Sequence, residues 1–261
     1  MRRPAIGAAI IAAVLLCVCG CKVSKKSGSE TKELLLYCGA GIRPPIDELV
    51  QNFESVYGFK VITDYAGSEV LFSKMKLSGR GDLYMPGDRY YLEQAADRGM
   101  ILYQRPICYF VPTILVQKGN PKNIRGLKDL LRGGLKIGLG DPNTCAVGRK
   151  TMEIFTKNNI AWADIEKNVA FLSMTVNELG MQIQARSLDA VIVWDAIARY
   201  YADYGEEVPI PAENNIVSPV DVGVLVFSKD RGLAEKFVEF AASEQGRAIF
   251  KKHHYRIEPP Q

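Results

Sequence analysis

The chain has 261 residues, 48% apolar and 24% charged, enough for one large or two modest domains with a real core. Its 33 basic and 29 acidic residues give a net charge of +4; setting aside Arg2 and Arg3 leaves 31 against 29, a balance of +2. Such near-neutrality offers no footprint for nucleic acid or another polyanion, and the lack of a CxxC or spaced Cys/His set argues against structural zinc.

Arg2 and Arg3 precede an apolar run, Ala5–Val18, that ends in Val18-Cys19-Gly20-Cys21. A basic start, a short apolar centre and small closing residues describe a secretory signal, too short for a stable membrane span. The end of the run resembles a bacterial lipobox. That implies cleavage before Cys21, removal of residues 1–20, and a diacylglycerol on the Cys21 sulfur that holds the exported protein to a lipid bilayer. An ordinary signal peptide or an uncleaved anchor are the alternatives. Residues 21–32, with Lys22–Ser29 polar and flexible, read as a tether. Cys38, Cys108 and Cys145 remain. An odd count leaves at least one free thiol, and buried small hydrophobes are expected, with a Cys38–Cys145 disulfide as the alternative.

From Glu33 the chain alternates short apolar runs with helix-period segments, the pattern of α/β layers. Leu34–Tyr37 is a buried strand. Pro44-Pro45 opens a helix whose apolar face carries Ile46, Leu49, Val50, Phe53, Val56 and Tyr57, stopped by Gly58. A strand over Phe59–Tyr65, a helix over Glu69–Leu77, a short strand over Asp82–Met85 and a helix over Arg89–Arg98 complete a first unit. The apolar run Ile107–Val116 predicts one strand crossing into a second unit. There, Lys136–Gly140 is a strand, Cys145–Lys157 a helix, Val169–Met174 a strand, and Thr175-Val176-Asn177-Glu178 a capping box opening a helix. Ala190–Trp194 is a strand, followed by a helix bearing Ala196, Ile197, Tyr200 and Tyr201. After the turn-rich Pro209–Pro219, Val220–Ser228 returns to the first unit, which ends in helices over Leu233–Ala242 and Gln245–His254. The expected architecture is two similar α/β lobes, each a mixed sheet flanked by helices, joined by two crossings. Residues 33–112 and 212–261 form the first lobe and 113–211 the second.

In such sheets ligands collect at the carboxyl ends of strands. Four loops there carry Gly, Ser, Thr or Asn before a helix: Cys38–Arg43, Ala66–Glu69, Gly140–Gly148 and Ser173–Val176. Any one could be a simple helix cap. Four together, split evenly between lobes, predict free N–H groups converging on a small anion.

The segments Tyr37–Gly41, Asp64–Ser68, Gly81–Asp88, Gly140-Asp141-Pro142 with Val147-Gly148, Ile192–Trp194 and Phe237–Phe250 together resemble the molybdate-binding proteins of ABC importers, within the two-lobed type II periplasmic binding proteins. The resemblance covers about Leu34–Tyr255. It implies a tetrahedral oxyanion, molybdate or tungstate, held between lobes by hydroxyls and backbone amides, with hinge closure and delivery to an ABC permease. By position it implies ligand contacts from Gly41, Ser68, Val147, Val176 and Trp194, with Gly67 and Ala146 beside them. Gly41 stands where the family has serine and Trp194 where it has tyrosine, so two hydroxyls are lost. Arg43 and Glu69 are further departures. Arg43 either forks onto the anion or is a solvated charge; Glu69, repelled by a dianion, is expected to face outward, toward Arg43, with direct coordination of the metal centre as the alternative.

Other ligands of the same architecture are a phosphonate, sulfate, phosphate or a ferric complex, and a ligand-sensing module is a further class. An enzyme is not expected. Cys145 sits in a donor-rich loop, but a thiol hydrolase would need a histidine, and His253 and His254 lie at the C-terminus. No cofactor and no free metal cation are expected, and the protein is expected to be a monomer.

Overall fold

The computed structural model describes residues 33–260. The signal segment, Cys21 and the tether lie outside the described residues.

The first sheet is built from β1 (Glu33–Gly39), β2 (Lys60–Ala66), β3 (Leu83–Met85), β4 (Ile101–Phe110) and a strand that arrives late in the chain. Between them lie α1 (Arg43–Tyr57), entered through a short 3-10 turn at Ala40–Ile42, α2 (Ser68–Ser78) and α3 (Arg89–Ala96). The second sheet comprises β5 (Pro112–Gln117), β6 (Ile137–Gly140), β7 (Val169–Ser173), β8 (Ala190–Trp194) and β9 (Gly205–Pro209). Its helices are α4 (Ala146–Lys157), the single turn α5 (Trp162–Ile165), α6 (Val176–Gln184) and α7 (Asp195–Tyr200). The chain then returns as β10 (Ser218–Leu225) and closes with α8 (Arg231–Ala242) and α9 (Glu244–Lys252), both packed on the first sheet.

The strand orders are β2-β1-β3-β10-β4 and β7-β6-β8-β5-β9. In each sheet three parallel strands (β2, β1, β3 and β7, β6, β8) meet an antiparallel strand, β10 or β5, that comes from the other lobe. The two lobes are therefore the same design, a mixed sheet flanked by helices. Parallel strands need a crossover helix, so the chain enters every one of those helices from the carboxyl end of a strand. All the parallel strands thus point their loops to one rim, and the rims of the two sheets face each other across the crossings.

Three details differ from the sequence expectation. The run Ile107–Val116 is two strands: β4 ends at Phe110, Val111 hands the chain over, and β5 starts at Pro112 in the other sheet. Both halves are buried, and hydrophobic pattern cannot register a change of sheet. The strand β9, Gly-Glu-Glu-Val-Pro, pairs with β5 at a sheet edge, where alternating charge suits an exposed border more than a buried strand. The returning strand covers Ser218–Leu225, beginning and ending earlier than expected. The first core is aromatic at its outer face, where Phe53 of α1 meets Phe237 of α8 edge-on at 5.1 Å.

Candidate functional site

Six parallel-strand ends from the two sheets surround one cavity of about 20 Å3. Gly39, Ala40 and Gly41 follow β1; Ala66, Gly67 and Ser68 follow β2; Gly87 follows β3. From the second lobe come Cys145, Ala146 and Val147 after β6, Thr175 and Val176 after β7, and Trp194 at the end of β8, with Phe110 at the crossing. About 10–15 Å3 suffices for one water, so the space suits a guest of a few heavy atoms. Among the described residues no Asp, Glu, Lys, Arg or His lines it.

Its polarity comes from backbone. The N-cap residues of α2, α4 and α6 are Gly67, Cys145 and Thr175; all three line the cavity, and none caps its helix with a side chain. Off the lining, α3, α8 and α9 are capped by Asp88, Asp230 and Ser243, while the single turn α5 has no side-chain cap. Helix α7 starts on the lining at Trp194, but its first two amides are taken by the Val111 carbonyl and Asp195 Oδ1. First-turn N–H groups have no partner within a helix, so an uncapped start needs one from elsewhere. Three such starts converge here, each with a dipole that favours negative charge. The expected capping box at α6 is not formed. The Glu178 carboxylate is instead engaged by the Ser173 hydroxyl, and Thr175 makes no capping bond. The loop into α4 is shaped from outside the cavity: Asp141 Oδ1 accepts the Asn143 amide at 2.8 Å, an Asx turn that leaves the helix start open.

Ser68 is buried, and its Oγ accepts the Gly87 amide at 3.0 Å. That bond uses a lone pair, so the hydroxyl proton remains to donate. Trp194 is buried and stacks on Phe110 of the opposite lobe, centroids 4.7 Å apart and planes within 6°. Its indole has a single N–H and no acceptor. Cys145 is a poor substitute for a cap because sulfur accepts weakly. Burial pushes its thiol up to about 11, against the pull of the Val147 and Gly148 amides. Cys38, Cys108 and Cys145 are all buried and free.

The lobes touch around this cavity. A Cβ on Gly67 would lie 2.6 Å from the Thr144 carbonyl oxygen and 2.7 Å from that of Met174, both in the second lobe, so only glycine lets the backbones meet. Asn177 Nδ2 donates across to the Ala40 carbonyl at 3.3 Å. At the rim Lys150 Nζ, buried on α4, lies 3.0 Å from Oδ2 of Asp88, which is buried at the start of α3. Beside it the Arg149 guanidinium covers the Tyr90 ring at 3.6 Å.

The structure gathers seven of the residues singled out from the sequence, Gly41, Gly67, Ser68, Ala146, Val147, Val176 and Trp194, on one lining. Arg43 and Glu69 are not on it. The Arg43 guanidinium lies over the Tyr65 ring at 4.2 Å, and Glu69 accepts the Ser73 hydroxyl at 3.2 Å instead of pairing with Arg43. His253 and His254 are also off the lining; His253 is held by Tyr200 and Glu48. Gly87 and Phe110 line the cavity but were not singled out as site residues from the sequence. Gly87 follows the shortest parallel strand and could have been reached by treating Pro86-Gly87-Asp88 as a fifth carboxyl-end loop. Phe110 carries no polar signal. Among the described residues no cluster of three or more His, Cys, Asp or Glu could hold a metal ion.

A two-lobed α/β fold with a small neutral cavity between its sheets defines a solute-binding protein. The chain belongs to the bacterial extracellular solute-binding proteins, a non-catalytic family whose profile it matches over residues 34–256. It is 25% identical over 221 residues to a Haemophilus influenzae protein named only as a binding protein, covering 85% of this chain and 89% of that one. It is 22% identical over 250 residues to the molybdate-binding protein ModA of Mycobacterium tuberculosis, covering 94% and 93%. Its fold also matches the sulfate-binding protein SubI of Mycobacterium tuberculosis, with a TM-score of 0.75, 19% identity and 88% of each chain covered.

Proposed function

We propose that this protein captures a compact, fully deprotonated tetrahedral oxyanion, molybdate or tungstate, between its lobes and presents it to an ABC permease. The observation that carries the reading is the convergence of three uncapped helix starts on one cavity without a charged lining. Bonds to an ionised ligand contribute about 1.5–3 kcal/mol each. The donors are the Gly41, Val147 and Val176 amides, the Ser68 hydroxyl and the Trp194 indole, with Gly67 and Ala146 packing beside them. Arg43 and Glu69 take no part.

A lining without a carboxylate favours an anion that carries no proton. Hydrogen phosphate would bring an O–H needing an acceptor, and no carboxylate is there to supply one among the described residues. The likeness to ModA supports molybdate over the other deprotonated oxyanions. Closure is a population shift: the ligand joins 33–112 and 212–261 to 113–211 because it contacts both only when they are shut. Export and lipid attachment through Cys21 complete the reading, placing a monomeric receptor at a membrane surface.

The test is calorimetric titration with molybdate, tungstate, sulfate, phosphate, a phosphonate and ferric citrate. Tight binding of the first two is expected. Binding of sulfate alone would keep the site and change its guest; binding only of phosphonate or ferric citrate would reject the proposal.

A further inference from the structure

The segment after α9, His253–Arg256, touches both lobes and the crossing between them. The Tyr255 ring is buried against Phe110 at 5.4 Å and Phe250 at 6.0 Å, and its hydroxyl donates to the Gly41 carbonyl. Burial holds that phenol well above its ordinary titration range, so it stays a donor. Arg256 uses both ends. Its carbonyl accepts the Tyr109 amide at 2.7 Å, and its Nε donates to Asp195 Oδ2 at 2.8 Å. Asp195 follows Trp194 directly, is buried, and its Oδ1 accepts the Val111 amide at 3.3 Å and the Ala196 amide at 3.0 Å. Earlier in the segment, His253 Nδ1 and the Tyr200 hydroxyl are 2.7 Å apart.

Gly41 has no side chain to anchor its two peptide planes. On one side the Ala40 carbonyl is held by the Arg43 amide and by Asn177; on the other the Gly41 carbonyl is held by Tyr255. A buried carbonyl needs a donor. The Gly41 N–H shares its plane with the Ala40 carbonyl and Tyr255 holds the plane that follows, so the two sets of bonds together limit rotation about both backbone bonds of Gly41. Arg256 acts on the opposite lobe, since it ties the carboxylate of Asp195, the residue that follows Trp194, to the same segment.

We infer that His253–Arg256 is a positioning strap for the binding site: Tyr255 locks the peptide that follows the Gly41 donor, so that the Gly41 backbone cannot swing, and Arg256, through Asp195, steadies Trp194. The assignment of these two groups as ligand donors rests on the function proposed above. The strap itself does not need a ligand to be detected. Tyr255→Phe keeps the ring packing and removes only the hydroxyl. Without ligand, amide hydrogen exchange in the peptide covering Gly39–Ile46 is expected to quicken about tenfold while the rest of both sheets keeps its protection. Molybdate affinity is expected to fall about tenfold, with calorimetry as the readout. In a Trp162→Phe background, Arg256→Gln should raise acrylamide quenching of Trp194, and Arg256→Lys should restore part of the shielding. Unchanged exchange at Gly39–Ile46, or a uniform rise across the chain, overturns the strap, as does unaltered quenching. If the wild-type protein binds no oxyanion, the ligand reading fails, and the exchange and quenching results still decide the strap.

Discussion

Gly41 and Val176 belong to opposite lobes, and a Cβ on Gly41 would lie 2.7 Å from Cγ1 of Val176 and 3.4 Å from Cδ1 of Trp194. The room that a side chain at position 41 would claim is taken by the Val176 methyl, with the Trp194 ring in ordinary contact beside it. Gly41→Ser should fold normally, because the clash exists only between closed lobes. Overpacking costs about 1–3 kcal/mol, so oxyanion affinity should drop by about one to two orders of magnitude with little change in melting temperature. Calorimetry beside a thermal melt checks this; tighter binding would show the added hydroxyl reaching the ligand.

Ser68→Ala should weaken binding and stability together. It removes a hydroxyl donor and leaves the buried Gly87 amide without its acceptor. A bond to an ionised group lost from the site is worth about 1.5–3 kcal/mol, and an orphaned buried amide about 1–3 kcal/mol. Affinity is expected to fall at least tenfold, and urea unfolding of the ligand-free protein should begin at lower denaturant.

Lys150→Met tests how strongly the rim holds the lobes shut. The substitution leaves the buried Asp88 carboxylate facing Arg149 at 3.6 Å as its remaining cation across the cleft. Removing one member of a buried pair costs about 3–5 kcal/mol, and here the cost falls on the closed form. Small-angle scattering should show a larger radius of gyration for the ligand-free variant than for wild type, and affinity should drop tenfold or more. Raising salt should change the wild-type result little, because the pair is shielded from solvent.

Cys145 should be inert. With its thiol pushed up to about 11 by burial, essentially none is thiolate at neutral pH, and iodoacetamide labelling at pH 8 should be negligible in folded protein and complete in urea. Rapid labelling at pH 8 would revive a thiol chemistry for this loop.

The regular part of the fold was legible because strand runs and helix stops are local properties. Leu34–Tyr37, Gly58 and Ala190–Trp194 each announce their role within a few residues. Most of the cavity lining was legible for a related reason: its loops follow parallel strands, so position in the chain implies position in space. What the sequence hid depends on distant partners. Val111 changes sheets in the middle of an apolar run. Thr175 and Glu178 have the spacing of a reciprocal cap, yet Ser173, two residues upstream, takes the glutamate. Arg43 stands beside the binding loop in sequence, but Tyr65 supplies an aromatic face on the next strand and draws the guanidinium away. The role of Tyr255 could not be read at all, since its partner is 214 residues away.

A lining without formal charge has an environmental consequence. Receptors that rely on arginine or lysine lose grip as the ionic atmosphere thickens, because counterions crowd the same cations their guest seeks. Peptide dipoles that converge on a pocket without charged side chains present no formal charge for dissolved sodium or chloride to neutralise. The grip of such a site on a small solute would thus change little as the salt concentration of its surroundings rises or falls.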